Sequence, residues 1–320
     1  MGAWQLPDGI DELTGDQALA FESIRRELLD LYQSKGFGLV IPPMVEYVES
    51  LLLTSESLDL KTFKFLDSAS GRLLGVHADI TPQIARIDAK RSSKGIEKYC
   101  YINAILQTRA DDFYASRSPI QAGAEMYGSD DISADIEVIE LMLESLKLLS
   151  IESITLSIGS VGVFNAIIEQ ENLDNELSSK LRQIFQKRSV PDLNIFLESN
   201  NLINADKFSK LMNLEGDSSV LTDALSEFKD IPKAKNAIED LIAIDEVLVK
   251  NRVNVIYDLA ELQSYEYHTG VVFSAYSLDY SKALAQGGRY QGLGESFGKY
   301  KNSRSATGFS FDLKYLSQSI

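Results

Sequence analysis

Two neighbouring segments near the C-terminal end, residues 265–276 and 283–293, constrain this chain most. Both are rich in β-forming residues and a short turn separates them, which predicts a β-hairpin. Gly270, Gly287 and Gly288 would let another group approach the backbone closely. Polar and aromatic side chains surround these glycines, namely Tyr267, His268, Arg289 and Tyr290. This mixture is typical of a binding pocket rather than of a plain hairpin.

Composition excludes several classes of protein. The chain has 320 residues, of which 44% are apolar, enough for one large domain with an insertion or for two domains. Its net charge of −16 would repel a nucleic acid, so we expect no such partner. The single cysteine, Cys100, excludes internal disulfides, and the polar N-terminus does not resemble a signal peptide. With no apolar run of membrane-spanning length and no cluster of metal ligands, we expect a cytoplasmic protein without membrane contact or metal.

Hydrophobic periodicity predicts an α+β fold. A long helix from Gly15 to Gly36 and an amphipathic helix over 134–149 should flank an antiparallel sheet. The predicted strands are 37–43, 62–67, 73–77, 98–102, 120–127, 154–158 and 253–258. Residues 163–250 have helical periodicity without a β pattern, and we expect turns at 190–192 and 215–217. We therefore predict a discontinuous core of residues 1–162 and 251–320, interrupted by a helical insertion of residues 163–250.

Two short polar patterns could form a binding site. Gln121, Gly123 and Glu125 alternate along a strand, so their side chains share one face, where buried polar groups need partners. Asp79 and Thr81 offer a carboxylate and a hydroxyl two residues apart, which on an extended strand would point to the same side and suit a primary ammonium. Each pattern also has a purely structural interpretation. Residues 79–82 could cap a helix, and the strand residues could belong to a structural polar network.

The hairpin resembles the histidine-binding segment of class II histidyl-tRNA synthetases, which reads Arg-Gly-Leu-Asp-Tyr-Tyr-Thr-Gly-Thr-Val-Phe-Glu and then Gly-Gly-Arg-Tyr-Asp-Gly-Leu. The resemblance implies a class II synthetase-like antiparallel sheet flanked by helices, with a helical insertion. It also implies a homodimer formed through the first long helix and the strand after it. The residues that it assigns to histidine binding are Asp79, Thr81, Gln121, Glu125, Tyr267 and His268. His268 replaces the second tyrosine of the family pattern, and His77 replaces an arginine; both could titrate near neutral pH.

The cations that amino-acid adenylation requires are missing. Charge develops on the triphosphate during in-line attack, and arginines stabilise it. The three arginines of the synthetase pattern correspond to Gln107, Gln263 and Tyr315 in this chain. Losing one such charge commonly costs about 10³–10⁵-fold in rate. We therefore expect no adenylation activity and no catalytic residue.

Three further segments resemble the regulatory subunits of ATP phosphoribosyltransferase, which are paralogues of the synthetase: Trp4-Gln-Leu-Pro-Asp-Gly-Ile10, Ala78-Asp-Ile-Thr-Pro-Gln-Ile-Ala-Arg86 and Gln121-Ala-Gly-Ala-Glu-Met-Tyr-Gly128. This resemblance implies a non-catalytic chain without a cofactor. Such a chain would join a short-form catalytic subunit in a hetero-octamer, activate it, and transmit feedback inhibition by histidine in histidine biosynthesis. Two alternatives stay open. One is a divergent histidyl-tRNA synthetase-like aminoacyl ligase whose ATP site uses Arg109 or Arg289, and the other is a scaffold with an empty pocket.

Overall fold

The computed structural model describes residues 4–52, 57–91, 93–110, 116–262, 267–297 and 304–318. Gln263, at the position of a synthetase arginine, lies outside this range. The chain divides into two compact units. The first unit comprises Met1–Asp130, Val138–Ile151 and Gln291–Ile320, and the second comprises Asp131–Glu137 and Glu152–Tyr290.

The secondary structure is mixed throughout the described residues. The strands, in chain order, are β1 (Gly38–Leu39), β2 (Val45–Tyr47), β3 (Lys64–Leu66), β4 (Leu73–Val76), β5 (Glu97–Ala104), β6 (Ile120–Tyr127), β7 (Thr155–Ser160), β8 (Glu215–Gly216), β9 (Asn254–Asp258), β10 (His268–Tyr276), β11 (Ala285–Gln291) and β12 (Ser305–Asp312). The α-helices are α1 (Gly15–Ser34), α2 (Val48–Leu51), α3 (Ser57–Lys61), α4 (Thr81–Arg91), α5 (Ile132–Leu148), α6 (Val161–Glu171), α7 (Asn175–Gln186), α8 (Val190–Asn200), α9 (Ala205–Leu211), α10 (Ser219–Glu227), α11 (Pro232–Lys250) and α12 (Leu313–Ser317). A 3₁₀ turn covers Glu295–Phe297.

In the first unit, β6 lies between β5 and β12 and pairs antiparallel with both, as predicted for this sheet. Strand β1 departs from the prediction because it runs parallel to β5. A long connection, rather than a hairpin turn, joins these two strands, and such a connection permits parallel pairing. Strands β3 and β4 also leave the predicted sheet and form a separate three-stranded antiparallel sheet with β2.

In the second unit, β10 pairs antiparallel with β11, which confirms the predicted hairpin, and its other edge pairs with β7. Strand β9 runs parallel to β7, because the helices from α6 to α11 connect the two strands as a crossover. These helices have a core of their own, in which the rings of Phe164, Phe185 and Phe208 pack edge to face with centroids 4.9–6.3 Å apart. None of the helices in the described ranges combines the length and apolar character needed to cross a bilayer.

Two predicted turns within residues 163–250 are wrong. Residues 190–192 form the first turn of α8, where Pro191 lacks only an N–H that the helix start leaves unused, and Ser189 caps the helix by accepting from the Asp192 N–H at 3.4 Å. Glu215 and Gly216 form the short strand β8, which pairs with β9. The proposed core and insertion differ from the two compact units, because β9, β10 and β11 fall in one unit with the helices. As a statement about independent folding, that division stays a prediction.

Candidate functional site

A group of buried polar side chains in the first unit contains four of the predicted ligand residues. Gln121 and Glu125 lie on β6 and are two residues either side of Gly123, so both project from one face of this strand. Asp79 and Thr81 lie at the start of α4. All four side chains are buried, with relative exposures of 2–7%. The two patterns that the sequence kept apart therefore form one site.

Gln121 joins the strand to the segment before α4. Its Nε2 donates to Asp79 Oδ1 at 2.8 Å, and its Oε1 accepts from the Ile80 N–H at 3.0 Å. Asp79 Oδ1 also accepts weakly from the Thr81 N–H at 3.4 Å. Part of the structural interpretation therefore holds, since Asp79 contacts the first turn of a helix. The expectation that Asp79 and Thr81 lie on an extended strand is wrong, because Thr81 is the first helical residue.

Glu125 is held by two hydroxyl groups. Thr81 Oγ1 donates to Glu125 Oε1 at 2.7 Å, and the Tyr101 hydroxyl donates to the same oxygen at 3.3 Å. The two hydroxyl oxygens lie 3.4 Å apart. Three groups from β5, β6 and α4 thus meet at one carboxylate oxygen, which fixes the side chain of Glu125.

Two glycines leave room for this arrangement. A Cβ at position 123 would lie 2.6 Å from the Tyr101 hydroxyl, and a Cβ at position 308 would lie 1.8 Å from Glu125 Oε2. Gly308 is the register partner of Glu125 on β12, and Gly123 is that of Tyr101 on β5. Any larger residue at either position would displace the carboxylate or the phenol.

The electrostatics of the site favour a cationic ligand group. Asp79 Oδ2 is buried and accepts no hydrogen bond from any residue that the structure describes. Burial raises the pKa of Asp79 above its ordinary value, although hydrogen bonds from Gln121 and the charge of Lys61 act in the opposite direction. A buried carboxylate oxygen without a partner is costly. An ammonium group would supply both the charge and the missing donor.

The second unit holds the other two predicted ligand residues in an aromatic group. The Tyr267 ring lies 5.1 Å from that of His268 and 5.4 Å from that of Tyr290, both edge to face. His268 and Tyr290 are register partners across β10 and β11. Gly288 lies beneath the His268 ring, since a Cβ there would lie 3.1 Å from His268 Nε2 and 2.6 Å from the Val271 carbonyl. This close approach explains one glycine of the pair that the sequence singled out.

The expectation that His268 titrates near neutral pH is wrong. The ring is buried, and burial lowers the pKa of His268 from 6.5 to about 3, so the imidazole is neutral under ordinary conditions. His77 is also buried; its Nδ1 lies 2.8 Å from Gln83 Oε1, and its Nε2 lies 2.7 Å from the Ala104 carbonyl oxygen. His77 therefore joins three segments of the first unit.

The cations that could have served a rearranged ATP site are engaged elsewhere, apart from the exposed Arg109. Arg289 forms an ion pair with the fully buried Asp135, with Nε 2.9 Å and Nη2 2.5 Å from Oδ2. Lys314 is buried and bonds to Asp11 Oδ1 at 2.9 Å and to Ser118. Gln107, at the place of a synthetase arginine, donates to the Ala78 carbonyl at 3.1 Å. Within the described ranges, no three acidic, histidine or cysteine side chains are placed to hold a metal ion.

Sequence reasoning missed Tyr101 and Gly308. Tyr101 falls in a run that reads as an ordinary buried strand, and its contact with Glu125 depends on the β5–β6 register. One signal could have revealed it: Gly123 interrupts the polar alternation of β6 at the point where a large neighbour needs space. Gly308 carries the same signal on β12.

Comparisons with known proteins agree on one family. The histidyl-tRNA synthetase family model matches residues 9–316. An ATP phosphoribosyltransferase regulatory subunit from Thiobacillus denitrificans is 43% identical over 318 residues, covering 99% of this chain and 98% of the relative. One from Hahella chejuensis is 38% identical over 317 residues, covering 98% of this chain and 78% of the relative.

Solved structures share the fold. A chain from Bacillus halodurans, described as an ATP phosphoribosyltransferase regulatory subunit/histidyl-tRNA synthetase, has a TM-score of 0.86 at 26% identity, covering 100% of this chain and 84% of that chain. A chain of the HisG:HisZ complex of ATP phosphoribosyl transferase from Thermotoga maritima has a TM-score of 0.68 at 20% identity, and the match covers 92% of this chain and 97% of that chain. This second likeness concerns the fold alone.

Proposed function

The chain belongs to the family of ATP phosphoribosyltransferase regulatory subunits, which is related to histidyl-tRNA synthetase, and we propose that it serves as the non-catalytic partner of a catalytic ATP phosphoribosyltransferase subunit in histidine biosynthesis. One observation carries the proposal. Asp79, Thr81, Gln121 and Glu125 form one buried hydrogen-bonded group. The positions that would hold cations on a triphosphate carry Gln107 and Tyr315 instead. Such a site can hold an amino acid but lacks the charges that activate it.

The relatives support the partnership. Those from Thiobacillus and Hahella are named regulatory subunits of ATP phosphoribosyltransferase, a name that implies a separate catalytic subunit. On this basis, the catalytic chain supplies the transferase chemistry, and this chain raises its activity. On the resemblance, we further propose that this chain and the catalytic subunit assemble as a hetero-octamer.

Histidine is the effector that the site fits. We assign its ammonium to Asp79 Oδ2 and the Thr81 hydroxyl, next to Gln121, and its imidazole N–H to Glu125. The resemblance adds Tyr267 and His268 to the proposed ligand set. For histidine to inhibit the complex, it must bind the active and inactive quaternary states with different affinities. A sensor of this kind needs a binding pocket and no chemistry.

The test is titration calorimetry of histidine into the purified chain, alone and with the catalytic subunit, together with transferase assays. We expect the chain to activate the catalytic subunit, histidine to bind and inhibit, and Glu125→Ala to abolish histidine binding and inhibition while keeping activation. Histidine binding by neither the chain nor the complex would overturn the sensor role and leave a scaffold or an activator with an empty pocket. Failure to activate the catalytic subunit would overturn the regulatory function itself.

The aminoacyl ligase alternative has a separate test. Histidine-dependent exchange of pyrophosphate into ATP should be absent with this chain. Because Arg289 is committed to Asp135, its replacement should affect folding rather than any exchange. Measurable exchange that is lost on Arg109→Ala would favour the ligase.

We also propose that the chain forms a homodimer, and that the three-stranded sheet contributes to the interface. Val45, Tyr47 and Phe65 are 37–42% exposed. The register places Tyr47 and Phe65 on either side of Leu74, so they share one face. A second copy carries the same charge of −16 and would be repelled at most surfaces, whereas these three side chains are neutral and the positively charged Arg72 lies 3.3 Å from the centre of the Tyr47 ring. Light scattering should show a dimer for the wild type and for Leu278→Glu, which changes a fully exposed residue of the second unit, but a monomer for Phe65→Glu.

A further inference from the structure

We infer that Tyr101 is a positioning residue for the ligand, which acts by fixing the carboxylate of Glu125. The inference deepens the proposed function and rests on histidine being the ligand. Tyr101 is fully buried on β5, so its hydroxyl needs a hydrogen-bond partner within the protein rather than bulk water. The Tyr101 hydroxyl lies 3.3 Å from Glu125 Oε1, and Tyr101 is the register partner of Gly123 on β6.

The packing shows that this contact is specific. A Cβ at position 123 would lie 2.4 Å from the Phe309 carbonyl oxygen, 2.6 Å from the Tyr101 hydroxyl and 2.7 Å from Tyr101 Cζ, so the glycine leaves room for the neighbouring strand and for the phenol. Gly308 opens the space on the other side of the same carboxylate. Strand β6, which contains Glu125, and its neighbour β12 thus carry glycine where any side chain would displace the Tyr101 phenol or the Glu125 carboxylate. A tyrosine that only filled the core would not need its polar end to point at the one buried carboxylate of β6.

The hydrogen-bond pattern states what Tyr101 does. Tyr101 and Thr81 both donate to Glu125 Oε1, and their oxygens are 3.4 Å apart. With its hydrogen directed to Glu125, the Thr81 hydroxyl presents its lone pairs to the ligand as an acceptor. Tyr101 supplies a second donor to the same oxygen, so two hydroxyl groups hold the carboxylate while Thr81 accepts from the ligand. The carboxylate is then oriented before the imidazole N–H arrives, so less freedom is lost on binding.

The chain offers a matched control. Tyr99 lies on the same strand, is 2% exposed, and its hydroxyl donates to the carboxylate of Asp88 at 3.1 Å. Tyr99→Phe and Tyr101→Phe therefore remove the same kind of bond, a phenol donating to a buried carboxylate. Tyr99 is the register partner of Glu125, but its hydroxyl donates to Asp88, whereas the hydroxyl of Tyr101 donates to Glu125 itself. A comparison of the two variants separates a general loss of stability from a loss of positioning.

The experiment is calorimetric titration of wild type, Tyr101→Phe and Tyr99→Phe, in the form that binds histidine, with histidine and with 2-thienylalanine. The thiophene ring of the analogue has no N–H to donate to Glu125. We expect Tyr101→Phe to weaken histidine binding about five- to ten-fold, less than the full value of a hydrogen bond to a charged group because Thr81 still holds the carboxylate, and to leave the analogue unchanged. Tyr99→Phe should change neither affinity.

Two results would overturn the inference. If Tyr101→Phe binds histidine as tightly as Tyr99→Phe does, or if it weakens histidine and the thiophene equally, Tyr101 has a structural role only. Both results presuppose that wild type binds histidine, so they are distinct from failure of the proposed function. A wild type that binds histidine neither alone nor in the complex would overturn the ligand assignment and the role of Tyr101 with it.

Discussion

Replacing Asp79 by asparagine should stabilise the unliganded fold and disable histidine binding. The carboxylate is 7% exposed, and its Oδ2 accepts no hydrogen bond within the part of the chain that the structure describes. Asparagine keeps the Oδ1 acceptor that Gln121 uses and removes the charge. The same substitution removes the group to which we assign the ligand ammonium. Stability and binding should therefore move in opposite directions.

The magnitudes follow from two opposing terms. An uncompensated buried charge costs several kcal/mol, whereas an unsatisfied amide N–H costs about 1–3 kcal/mol, so the net gain in free energy of unfolding should be about 1 kcal/mol. For a chain of this size, that raises Tm by about 2 °C. Truncating one partner of a buried charge pair commonly costs about 2–5 kcal/mol, and a loss of about 3 kcal/mol is roughly 100-fold in Kd.

The pH dependence gives the sign an independent check. Because burial raises the pKa of Asp79 above its ordinary 3.8, the folded state binds more protons than the unfolded state. The wild type therefore loses stability as pH rises from 3.8 through the raised pKa. The advantage of Asp79→Asn should be full above that range and should vanish near pH 3.8. Urea unfolding of both proteins across this range measures the difference directly.

Asp88 provides the contrast, because it is also buried, and burial raises its pKa too, but both of its carboxylate oxygens have partners. It lies 2.9 Å from Arg304 Nε, and its other oxygen accepts from Tyr99. Asp88→Asn removes one partner of a buried ion pair and should destabilise by about 3–5 kcal/mol without changing histidine affinity. If Asp79→Asn destabilised the fold as Asp88→Asn does, or bound histidine as the wild type does, the assignment of Asp79 to the ligand ammonium would be refuted.

Three further predictions concern groups that the structure fixes. Since burial lowers the pKa of His268 to about 3, the free energy of unfolding should fall as the pH drops below 6.5. NMR of the imidazole should show no titration of His268 between pH 8 and 5, and a midpoint near 6.5 would contradict its burial. Gly308→Ala places a Cβ 1.8 Å from Glu125 Oε2 and should cost about 1–3 kcal/mol and weaken histidine binding, whereas Gly294→Ala, whose nearest atom is 3.4 Å away, should do neither by calorimetry. Arg289→Gln removes the guanidinium that lies 2.5 Å from the buried carboxylate of Asp135 and should lower the free energy of unfolding by about 3–5 kcal/mol; an unchanged urea midpoint would show that the ion pair is unimportant.

The sequence predicted the parts of the site that depend on local periodicity. Alternation along a strand places Gln121 and Glu125 on one face whatever lies opposite, so this inference needed no tertiary information. The hairpin of β10 and β11 was predictable for the same reason, because its two strands are neighbours in sequence. The β character of β5 and β6 was also readable from composition.

Properties that depend on packing were out of reach. The depressed pKa of His268 results from complete burial of the ring, which no neighbouring residue in the sequence reveals. The bond between Tyr101 and Glu125 joins residues 24 positions apart through strand register. Residues 190–192 misled because proline marks helix starts as well as turns, and only the cap by Ser189 decides between them. The parallel pairing of β1 with β5 likewise depends on tertiary structure.

The position of Gln107 links the lost chemistry to the retained pocket. On the resemblance, this place belongs to an arginine that serves the triphosphate, whereas Gln107 here donates to the carbonyl of Ala78, the residue immediately before Asp79. A neutral amide at this point holds the backbone next to the proposed ammonium site without adding a positive charge beside it. An arginine there would partly neutralise Asp79 and compete with a cationic ligand. Gln107→Arg should therefore weaken histidine binding without restoring pyrophosphate exchange, because Tyr315 still occupies a second cation position; tighter binding would show that the amide has no such role.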